Sequence, residues 1–271
     1  AIDPKLVDFS IIDLTLDNGL GGVISKNNPV VFDTLSWGIT ACRHANGRDW
    51  WIVVIEDGNP SSYTMLFTPS GIDTIIHQDF GLATETYGNV SQIMFSNDGS
   101  KFIYCSPDSQ NQNGYLISCD FDRCNGVFSN FNKTLVSPDH YLLGLTFSSS
   151  ADYIYACTSS QIFQIDTDTL SVDTVATYDG YISPPNLTCC ATTFWNMYLA
   201  ANGKIYITSG SGVQHLHEMN FPDSAGVACD VQQHAINLGY AQLRAVPNHP
   251  NYNLCPVMGS VCDTLGVGLP E

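Results

Sequence analysis

Apolar and polar residues alternate along short segments of this chain, and the segments recur at a nearly constant interval. Four stretches share a polar turn followed by an aromatic or β-branched run, namely NGRDWWIVV, NDGSKFIYC, SADYIYACT and NGKIYITSG. When Trp51, Phe102, Tyr153 and Ile205 are taken as equivalent, the spacings are 51, 51 and 52 residues. A repeat of this length is typical of folds in which one supersecondary unit is copied and packed against its neighbours.

Each repeat contains enough alternating segments for a four-stranded antiparallel sheet. An apolar segment precedes each turn (GITAC, SQIMF, LGLTF, WNMYL), and a third strand is predicted after the aromatic run (SYTMLF, GYLISCDF, QIFQID, VQHLHEM). Fourth strands are predicted at DTIIHQDF, NKTLVS and VDTVATYD. Alternation buries one face of each strand, and Asn-Gly or Asp-Gly turns favour hairpins. The pattern predicts an all-β fold, a β-propeller with four-stranded blades of about 51 residues. A sandwich is the alternative, but it would not require a constant interval.

The two ends of the chain bear on the number of blades. Residues 8–24 resemble the third and fourth strands of a blade, and the C-terminal AQLRAV and NHPNYNL could supply missing strands. With the four repeats, they would give about five blade units in a single domain over residues 1–271. An open ring would leave exposed strand edges, which are a liability. The alternative is that the chain forms the later part of a larger, for example seven-bladed, ring.

Charge and hydropathy narrow the classes of partner. The 26 acidic residues outnumber the 9 basic ones, and the net charge is −17. We therefore expect no nucleic-acid partner and no anionic membrane partner, because both are negatively charged. No apolar run is long enough to span a bilayer, and the chain opens without a recognisable signal sequence. We expect that a signal has been removed or that the chain is part of a longer protein.

The ten cysteines show no CxxC pair, haem signature or zinc spacing. An even, scattered set predicts disulfides and an oxidising compartment. Cys119 with Cys124, and Cys255 with Cys262, are close enough in sequence to staple local loops. Several buried free thiols are the alternative.

Six longer motifs follow one another along the chain. They are DFSIIDLTLDNGLGGVISKN, ITACRHANGRDWWIVV, FDRCNGVFSN, GLTFSSSADYIYACTSSQIFQID, NFPDSAGVACDVQQHAINL and PNHPNYNLCPVMGSVCDTL. Together they resemble large secreted proteins of Bacteroidetes, in which propeller-like regions are often followed by PKD-type modules and a type IX secretion sorting domain. The resemblance implies export to the cell surface or the medium, and further strand-rich sequence before Asp8. The resemblance provides no activity and no catalytic residue that could be transferred to this chain.

Asp followed by Thr or Ser and then an apolar residue occurs six times, which is similar to the O-glycosylation signal of exported Bacteroidetes proteins. The candidate modification sites are Thr34, Thr74, Thr169, Thr174, Ser224 and Thr264. The alternative is that Asp-Thr pairs begin strands after turns.

The sequence contains no nucleophile elbow, P-loop, dinucleotide fingerprint or HExxH motif.

Candidate metal ligands are few. His215 and His217 lie on a predicted strand and share one face, so they could bind a transition metal with His234 or Glu218 as a third ligand. Half-exposed strand histidines are the alternative. A structural calcium is considered at the Asp-rich turns CDFDRCNG and IDTDTLSVD, although neither has the full ligand pattern.

The HANGRDWW turn contains His44, Arg48 and Asp49, which could form a ligand-binding corner on one face of the ring. In the structural interpretation, Arg48 and Asp49 pair across the hairpin while Trp50 or Trp51 packs between blades. The structural interpretation is favoured because an aromatic residue recurs at this position in other repeats.

The sequence therefore predicts a non-enzymatic extracellular or cell-surface scaffold or binding module, with a glycan, a peptide or a protein as its ligand. The alternatives are a hydrolase or lyase acting on extracellular polysaccharide and a structural subunit of a surface assembly. Converging His and Asp side chains would favour the enzyme, whereas a pocket of backbone, asparagine and aromatic groups would favour binding. Tyr87, Tyr181 and Tyr252 are candidate sugar contacts.

Overall fold

A computed structural model describes residues 4–82, 92–108, 111–183, 190–210, 212–242, 244 and 246–263. In these residues, eighteen strands form one two-stranded and four four-stranded antiparallel sheets. Two short 3₁₀ turns, Asp17–Gly19 and Gly226–Cys229, complete the regular structure of this part of the chain. None of its helices has the length and apolar character needed to cross a membrane.

We call the two-stranded sheet the N-terminal hairpin and the other sheets blades 1 to 4. The hairpin consists of β1 (Leu6–Asp13) and β2 (Gly22–Phe32). Blade 1 consists of β3 (Leu35–Arg43), β4 (Trp50–Glu56), β5 (Ser61–Thr68) and β6 (Gly71–Asp79). Blade 2 consists of β7 (Ile93–Phe95), β8 (Lys101–Pro107), β9 (Gly114–Asp122) and β10 (Val127–Ser137). Blade 3 consists of β11 (Gly144–Phe147), β12 (Tyr153–Cys157), β13 (Gln161–Asp166) and β14 (Val172–Thr177). Blade 4 consists of β15 (Met197–Leu199), β16 (Ile205–Ile207), β17 (Val213–Met219) and β18 (Val231–Gln242).

Each blade is a meander in which the order of strands in the sheet follows their order in the chain. The first strands β3, β7, β11 and β15 lie next to one another in that sequence, so they form the inner side of the array. Sheets that follow one another around an axis through their first strands define a β-propeller, which confirms the predicted fold class. The four positions taken as equivalent in the repeat all fall in the second strand of a blade.

The apolar core consists of layers between consecutive sheets. In β8, Phe102 and Tyr104 pack into the layer shared with blade 1, whereas Ile103 and Cys105 pack into the layer shared with blade 3. Because successive side chains of a strand point to opposite faces, one strand can serve two neighbours. Both faces of a middle blade are buried, which explains why its second strand is a continuous apolar run in the sequence.

The turn between the first and second strands needs a left-handed residue in every blade. Gly47, Gly99 and Gly203 have φ angles of 75°, 72° and 78°, and Ala151 occupies the equivalent position of blade 3 at 63°. Glycine adopts this region without steric cost, whereas a Cβ makes it unfavourable. The structure therefore confirms that the glycines of the predicted Asn-Gly and Asp-Gly turns have left-handed backbone.

Within the part of the C-terminal region that the structure describes, no strand joins the N-terminal hairpin to complete a fifth blade, so that expectation is wrong. Ala241 and Gln242 belong to β18, the fourth strand of blade 4, which the sequence pattern does not predict. The described residues from 246 to 263 contain no strand. The N-terminal hairpin is formed as predicted. It packs through Val7 and Val31 against Val54 and Met65 of blade 1.

Residues 246–263 instead form an irregular segment, here called the C-terminal strap, that links the last blade to the first. Asn248 Nδ2 donates to the Ile39 carbonyl in β3, 2.6 Å away. His249 Nε2 lies 2.9 Å from the Tyr198 hydroxyl in β15. The strap therefore connects β3 of blade 1 to β15 of blade 4, the first and the last of the four inner strands.

Arg123, in the turn between β9 and β10, anchors the other end of the strap. Its side chain donates to the carbonyls of Arg43 (2.9 Å), Asp98 (3.2 Å) and Cys255 (2.6 Å). These carbonyls belong to blade 1, blade 2 and the strap, so one guanidinium joins three parts of the chain. Burial lowers the pKa of Arg123, but a guanidinium remains charged at any physiological pH.

The disulfide at this anchor differs from the predicted local pairs. Cys124 pairs with Cys262, 138 residues away in sequence. Cys119 is a buried free thiol in the layer between blades 1 and 2, and Cys255 is an exposed free thiol. The two predicted staples are wrong because the strap returns to blade 2, which places Cys262 beside Cys124 rather than beside Cys255.

Most other cysteines behave as apolar core residues. The buried free thiols are Cys42, Cys105, Cys119, Cys157 and Cys229. Burial raises the pKa of each of these thiols, and that of Cys42 reaches about 12. Such thiols are unreactive and fill space between blades. For these five residues, the expectation of a disulfide framework is wrong.

We expect Gly203→Ala to lower the free energy of unfolding by about 1 kcal/mol, which urea denaturation can measure. A Cβ at position 203 would have space, since its nearest neighbour, Ser149 Oγ, is 3.6 Å away, so the cost is conformational. Gly210→Ala is the control, because φ at Gly210 is not left-handed and a Cβ there makes ordinary contacts at 3.7 Å. Equal effects of the two substitutions would contradict this account.

We expect Arg123→Lys to lower the free energy of unfolding by about 2 kcal/mol, because an ammonium cannot reach all three carbonyls. Arg48→Lys is the matched control, since the side chain of Arg48 is 48% exposed and solvent screens its pair with Asp49, so the same substitution should cost less stability there. Thermal denaturation monitored by circular dichroism would distinguish the two. A smaller effect at Arg123 than at Arg48 would rule out the anchoring role.

Candidate functional site

The inner strands and the strap enclose a cavity of about 610 Å³. All four blades contribute to its wall, for example through Thr40, Asn97, Ser149 and Tyr198. Strap residues 247–254 provide the rest of the lining. The cavity thus exists because the first strands of the blades converge and because the strap crosses between them.

The described lining of this cavity contains no carboxylate, ammonium or guanidinium group and is rich in hydrogen-bonding groups. It consists of hydroxyl, amide, aromatic, sulfur-containing and apolar side chains and the imidazole of His249, together with backbone. Asn251 Nδ2 donates to the Asn97 carbonyl (2.8 Å), and Asn97 Nδ2 donates to the Ser149 carbonyl (3.2 Å). These contacts fix the orientation of the asparagine side chains before any ligand arrives, which reduces the entropic cost of binding.

Tyr252 lies on the strap and lines the cavity with a ring that is 62% exposed. The edge of its ring contacts Trp50, with 5.6 Å between ring centroids. Arg43 lies over the Trp50 ring, with its guanidinium carbon 5.0 Å from the ring centroid. The Arg43 side chain also donates to the Leu254 carbonyl in the strap. The ring of Tyr252 is therefore held in place while much of its surface faces solvent. Of the three tyrosines that the sequence analysis singled out, this one reaches the cavity.

The other two candidate tyrosines differ. Tyr181 stacks on His234 with 4.1 Å between ring centroids, and Tyr87 lies outside the described residues. The sequence signal for the cavity is the asparagine-rich segment NHPNYNL, which the alternation pattern predicts as strand and which instead belongs to the strap.

The HANGRDWW corner forms a joint between blades 1 and 2. Asp49 is buried and pairs with Arg48 at 2.7 Å, which lowers the pKa of its carboxyl group. His44 Nε2 lies 3.0 Å from the Cys124 carbonyl. Trp51 Nε1 donates to the Arg123 carbonyl at 2.8 Å. These partners support the structural interpretation, in which Trp51 packs between blades. Ligand binding by His44, Arg48 and Asp49 remains a prediction.

His215 and His217 share one face of β17, as predicted, but they do not form the predicted metal pair. Both nitrogens of His217 have protein partners, since Nδ1 accepts from the His234 backbone N–H (3.1 Å) and Nε2 lies 3.3 Å from Ser209 Oγ. His215 Nδ1 lies 2.5 Å from Ser183 Oγ. Among the described residues, no group of three His, Cys, Asp or Glu side chains is arranged to hold a metal ion.

Burial controls the protonation of these histidines. His217 has no exposed surface and packs edge-on against Phe194, with ring centroids 4.9 Å apart. Desolvation lowers the pKa of His217 to about 4 and also lowers that of His215. Both imidazoles are therefore neutral at physiological pH, and they are core residues of blade 4. Ser183, the partner of His215, is fully buried as well.

The acidic turns use their carboxylates to stabilise backbone. Asp122 accepts from the Cys124 N–H (2.8 Å), and Asp166 accepts from the Thr169 N–H (2.8 Å). Side-chain acceptors of this kind are typical of Asx turns. A structural calcium at Asp120, Asp122, Asp166, Asp168 or Asp173 remains a prediction.

The candidate glycosylation sites lie at the periphery of the blades. Thr74, Thr169 and Thr174 are exposed, and Thr34 and Ser224 are half-buried. Thr264 lies outside the described residues. Modification of these residues remains a prediction.

Comparison with known proteins supports the fold class. No family model and no curated protein sequence matches the chain. A candidate TolB from Agrobacterium tumefaciens is similar in structure, with a TM-score of 0.50 and 16% identity over 91% of this chain and 81% of that one. At this identity, the likeness shows a β-propeller and nothing finer.

Two further solved structures are similar to this chain. The periplasmic gluconolactonase PpgL of Pseudomonas aeruginosa has a TM-score of 0.49 and 13% identity over 83% of this chain and 61% of its own. The extracellular domain of a candidate one-component system from B. thetaiotaomicron has a TM-score of 0.45 and 13% identity over 92% and 28%, respectively. This chain therefore spans less than two thirds of the length of both proteins.

We expect the stability of the protein to fall as the pH decreases from about 6.5 to about 4, with His217 as a specific cause. The folded state keeps His217 neutral, whereas the unfolded chain protonates it, so acid favours unfolding. His217→Gln should remove about 3 kcal/mol of this pH dependence. Urea denaturation at several pH values measures it, and His140→Gln, an exposed histidine, is the control. Identical pH profiles for wild type and His217→Gln would contradict the prediction.

Proposed function

We propose that this protein is a non-enzymatic, extracellular or cell-surface binding module whose ligand occupies the cavity between the inner strands. The cavity itself is the observation that carries the proposal. Its volume of about 610 Å³ is in the range of small-molecule sites, and its lining combines aromatic surface with a few oriented polar groups. A lining of backbone, asparagine and aromatic groups is the pattern that favours binding over catalysis.

The chemistry of the lining favours a neutral ligand rich in hydroxyl or amide groups, such as an uncharged glycan or an extended peptide. Asparagine side chains and backbone groups can both donate and accept hydrogen bonds. The net charge of −17 disfavours anionic ligands at long range. Tyr252 supplies an apolar face next to the polar groups.

Two observations support the location and the non-enzymatic role. The Cys124–Cys262 disulfide fits an oxidising compartment. The Ser183–His215 contact resembles a nucleophile–base pair, but both side chains are buried and neither lines the cavity. A hydrolase would need such a pair to reach its substrate.

We expect Tyr252→Ala to weaken ligand binding at least about tenfold, because a preorganised aromatic contact at a cavity mouth contributes at least about 1.4 kcal/mol. Ligands would be selected from an array of neutral oligosaccharides and peptides and measured by isothermal titration calorimetry. Tyr240→Ala is the matched control, since Tyr240 is 70% exposed on β18 and does not line the cavity. The proposal fails if neither class binds, or if the two substitutions weaken binding equally.

A further inference from the structure

Aromatic rings from three parts of the chain form a continuous row beside the cavity. The row, here called the aromatic row, consists of Trp50 in blade 1, Tyr252 and His249 in the strap, and Tyr198 in blade 4. In this order, the centroids of successive rings lie 5.6, 6.3 and 5.4 Å apart. Tyr252, His249 and Tyr198 also line the cavity. The aromatic row therefore follows the strap from blade 1 to blade 4, next to the space assigned to the ligand.

The protein holds these rings in place without covering them. The Tyr198 hydroxyl lies 2.9 Å from His249 Nε2, and the guanidinium of Arg43 lies over Trp50. Tyr252 is 62% exposed and His249 is exposed as well, whereas Trp50 and Tyr198 at the two ends are half-buried. Aromatic surface that is fixed before a ligand arrives loses little conformational freedom on binding. The aromatic row is thus a preorganised contact surface.

Successive rings of the aromatic row are tilted against one another. The interplanar angles of the three successive pairs are 66°, 76° and 57°. A flat surface, such as that of a crystalline polysaccharide, contacts several rings at once only when the rings are coplanar. A single chain whose units turn relative to one another can contact tilted rings one after another. The tilt therefore favours a single flexible chain as the ligand.

The amide groups of the cavity leave acceptor oxygens for a ligand. Asn97 Nδ2 donates to the Ser149 carbonyl, and Asn248 Nδ2 donates to the Ile39 carbonyl. The Oδ1 atoms of Asn97 and Asn248 accept no hydrogen bond from any described part of the chain. An amide oxygen has two lone pairs, so these atoms favour a ligand that carries hydrogen-bond donors, such as hydroxyl groups.

The inner strands are poor partners for an extended peptide. Gln92 Oε1 accepts from the backbone N–H groups of Leu145 in β11 (3.2 Å) and Met197 in β15 (3.3 Å). Gln92 Nε2 donates to the Met197 carbonyl at 2.7 Å. Asn248 Nδ2 occupies the Ile39 carbonyl of β3 in the same way. A peptide that adds a strand pairs with backbone groups of this kind. In β3, β11 and β15, amide side chains already bind them.

We infer that the aromatic row and the cavity bind a single chain of a neutral glycan, with successive sugar units on successive rings. The inference rests on the proposed function and names its ligand class. The C–H groups of a sugar ring carry partial positive charge and contact the electron-rich face of an aromatic ring, while the hydroxyl groups donate to the asparagine oxygens. An acidic polysaccharide is disfavoured, since the cavity lining has no ammonium or guanidinium group and the net charge is −17.

The dependence of affinity on chain length tests the inference. The probes are linear oligosaccharides of glucose, xylose and mannose, from disaccharide to hexasaccharide, and isothermal titration calorimetry measures their binding to the intact chain. We expect the affinity of at least one series to rise at least about tenfold from disaccharide to tetrasaccharide, because each added unit contacts a further ring. Crystalline cellulose should not retain the protein in a sedimentation assay. Affinity independent of chain length, or retention on crystalline cellulose, would overturn the inference.

Substitutions in the aromatic row test the contact itself. Trp50→Ala should weaken binding of the hexasaccharide at least about tenfold, and Trp50→Phe, which keeps a ring, should restore most of the affinity. Trp37→Ala is the matched control, because Trp37 is 55% exposed and lies outside the aromatic row. His249→Ala, at an exposed position, should weaken binding in the same direction and provides the test if Trp50→Ala does not fold. Equal effects in the aromatic row and at Trp37 would refute the assignment.

Peptide binding distinguishes this inference from the proposed function. Neutral extended peptides are titrated alongside the oligosaccharides, with Tyr252→Ala as the cavity variant. If peptides bind, Tyr252→Ala weakens them and no oligosaccharide binds, the proposed function holds and the inference is overturned. If neither class binds, both are overturned. Binding of an oligosaccharide with the expected dependence on chain length and on Trp50 supports both.

Discussion

The fold depends on sheets that bury both of their faces against neighbouring sheets. Strand β8 shows the principle, since alternate side chains from Phe102 to Cys105 enter two different apolar layers. No blade has a core of its own, so each is stable only where its neighbours cover it. The same requirement accounts for strand β11, which lies between blades 2 and 4 and is fully buried.

The C-terminal strap adds a second constraint, which creates the candidate site. Arg123 and the Cys124–Cys262 disulfide fix one end of the strap to blade 2, and Asn248 and His249 fix the other end to the first and last inner strands. The strap supplies Tyr252 and the asparagine groups that make the cavity polar and partly aromatic. A site whose groups are held by backbone carbonyls is preorganised, which reduces the entropic cost of ordering those groups around a ligand.

The sequence predicted local features better than the pairing of distant residues. The shared face of His215 and His217 follows from strand periodicity and is confirmed, but the metal ligation inferred from it is wrong because His234 and Ser209 occupy the nitrogens of His217. Proximity along the chain predicts local disulfides, whereas Cys124 pairs with Cys262, 138 residues away in sequence. The recurrence of an aromatic residue favours a structural role for the HANGRDWW corner, and its contacts with Cys124 and Arg123 support that role.

By itself, the sequence determined the strand pattern, the turns and the propeller class, because these depend on alternation, on residues with left-handed backbone and on a repeat that local physics dictates. It also predicted the N-terminal pair of strands, which forms the hairpin β1–β2. Only the tertiary structure decided that residues 246–263 form a strap rather than strands, that Cys124 meets Cys262, and that Tyr252 borders a cavity. Those features arise from contacts between residues more than a hundred positions apart, and the spacing of residue types along the chain does not encode which distant segments meet.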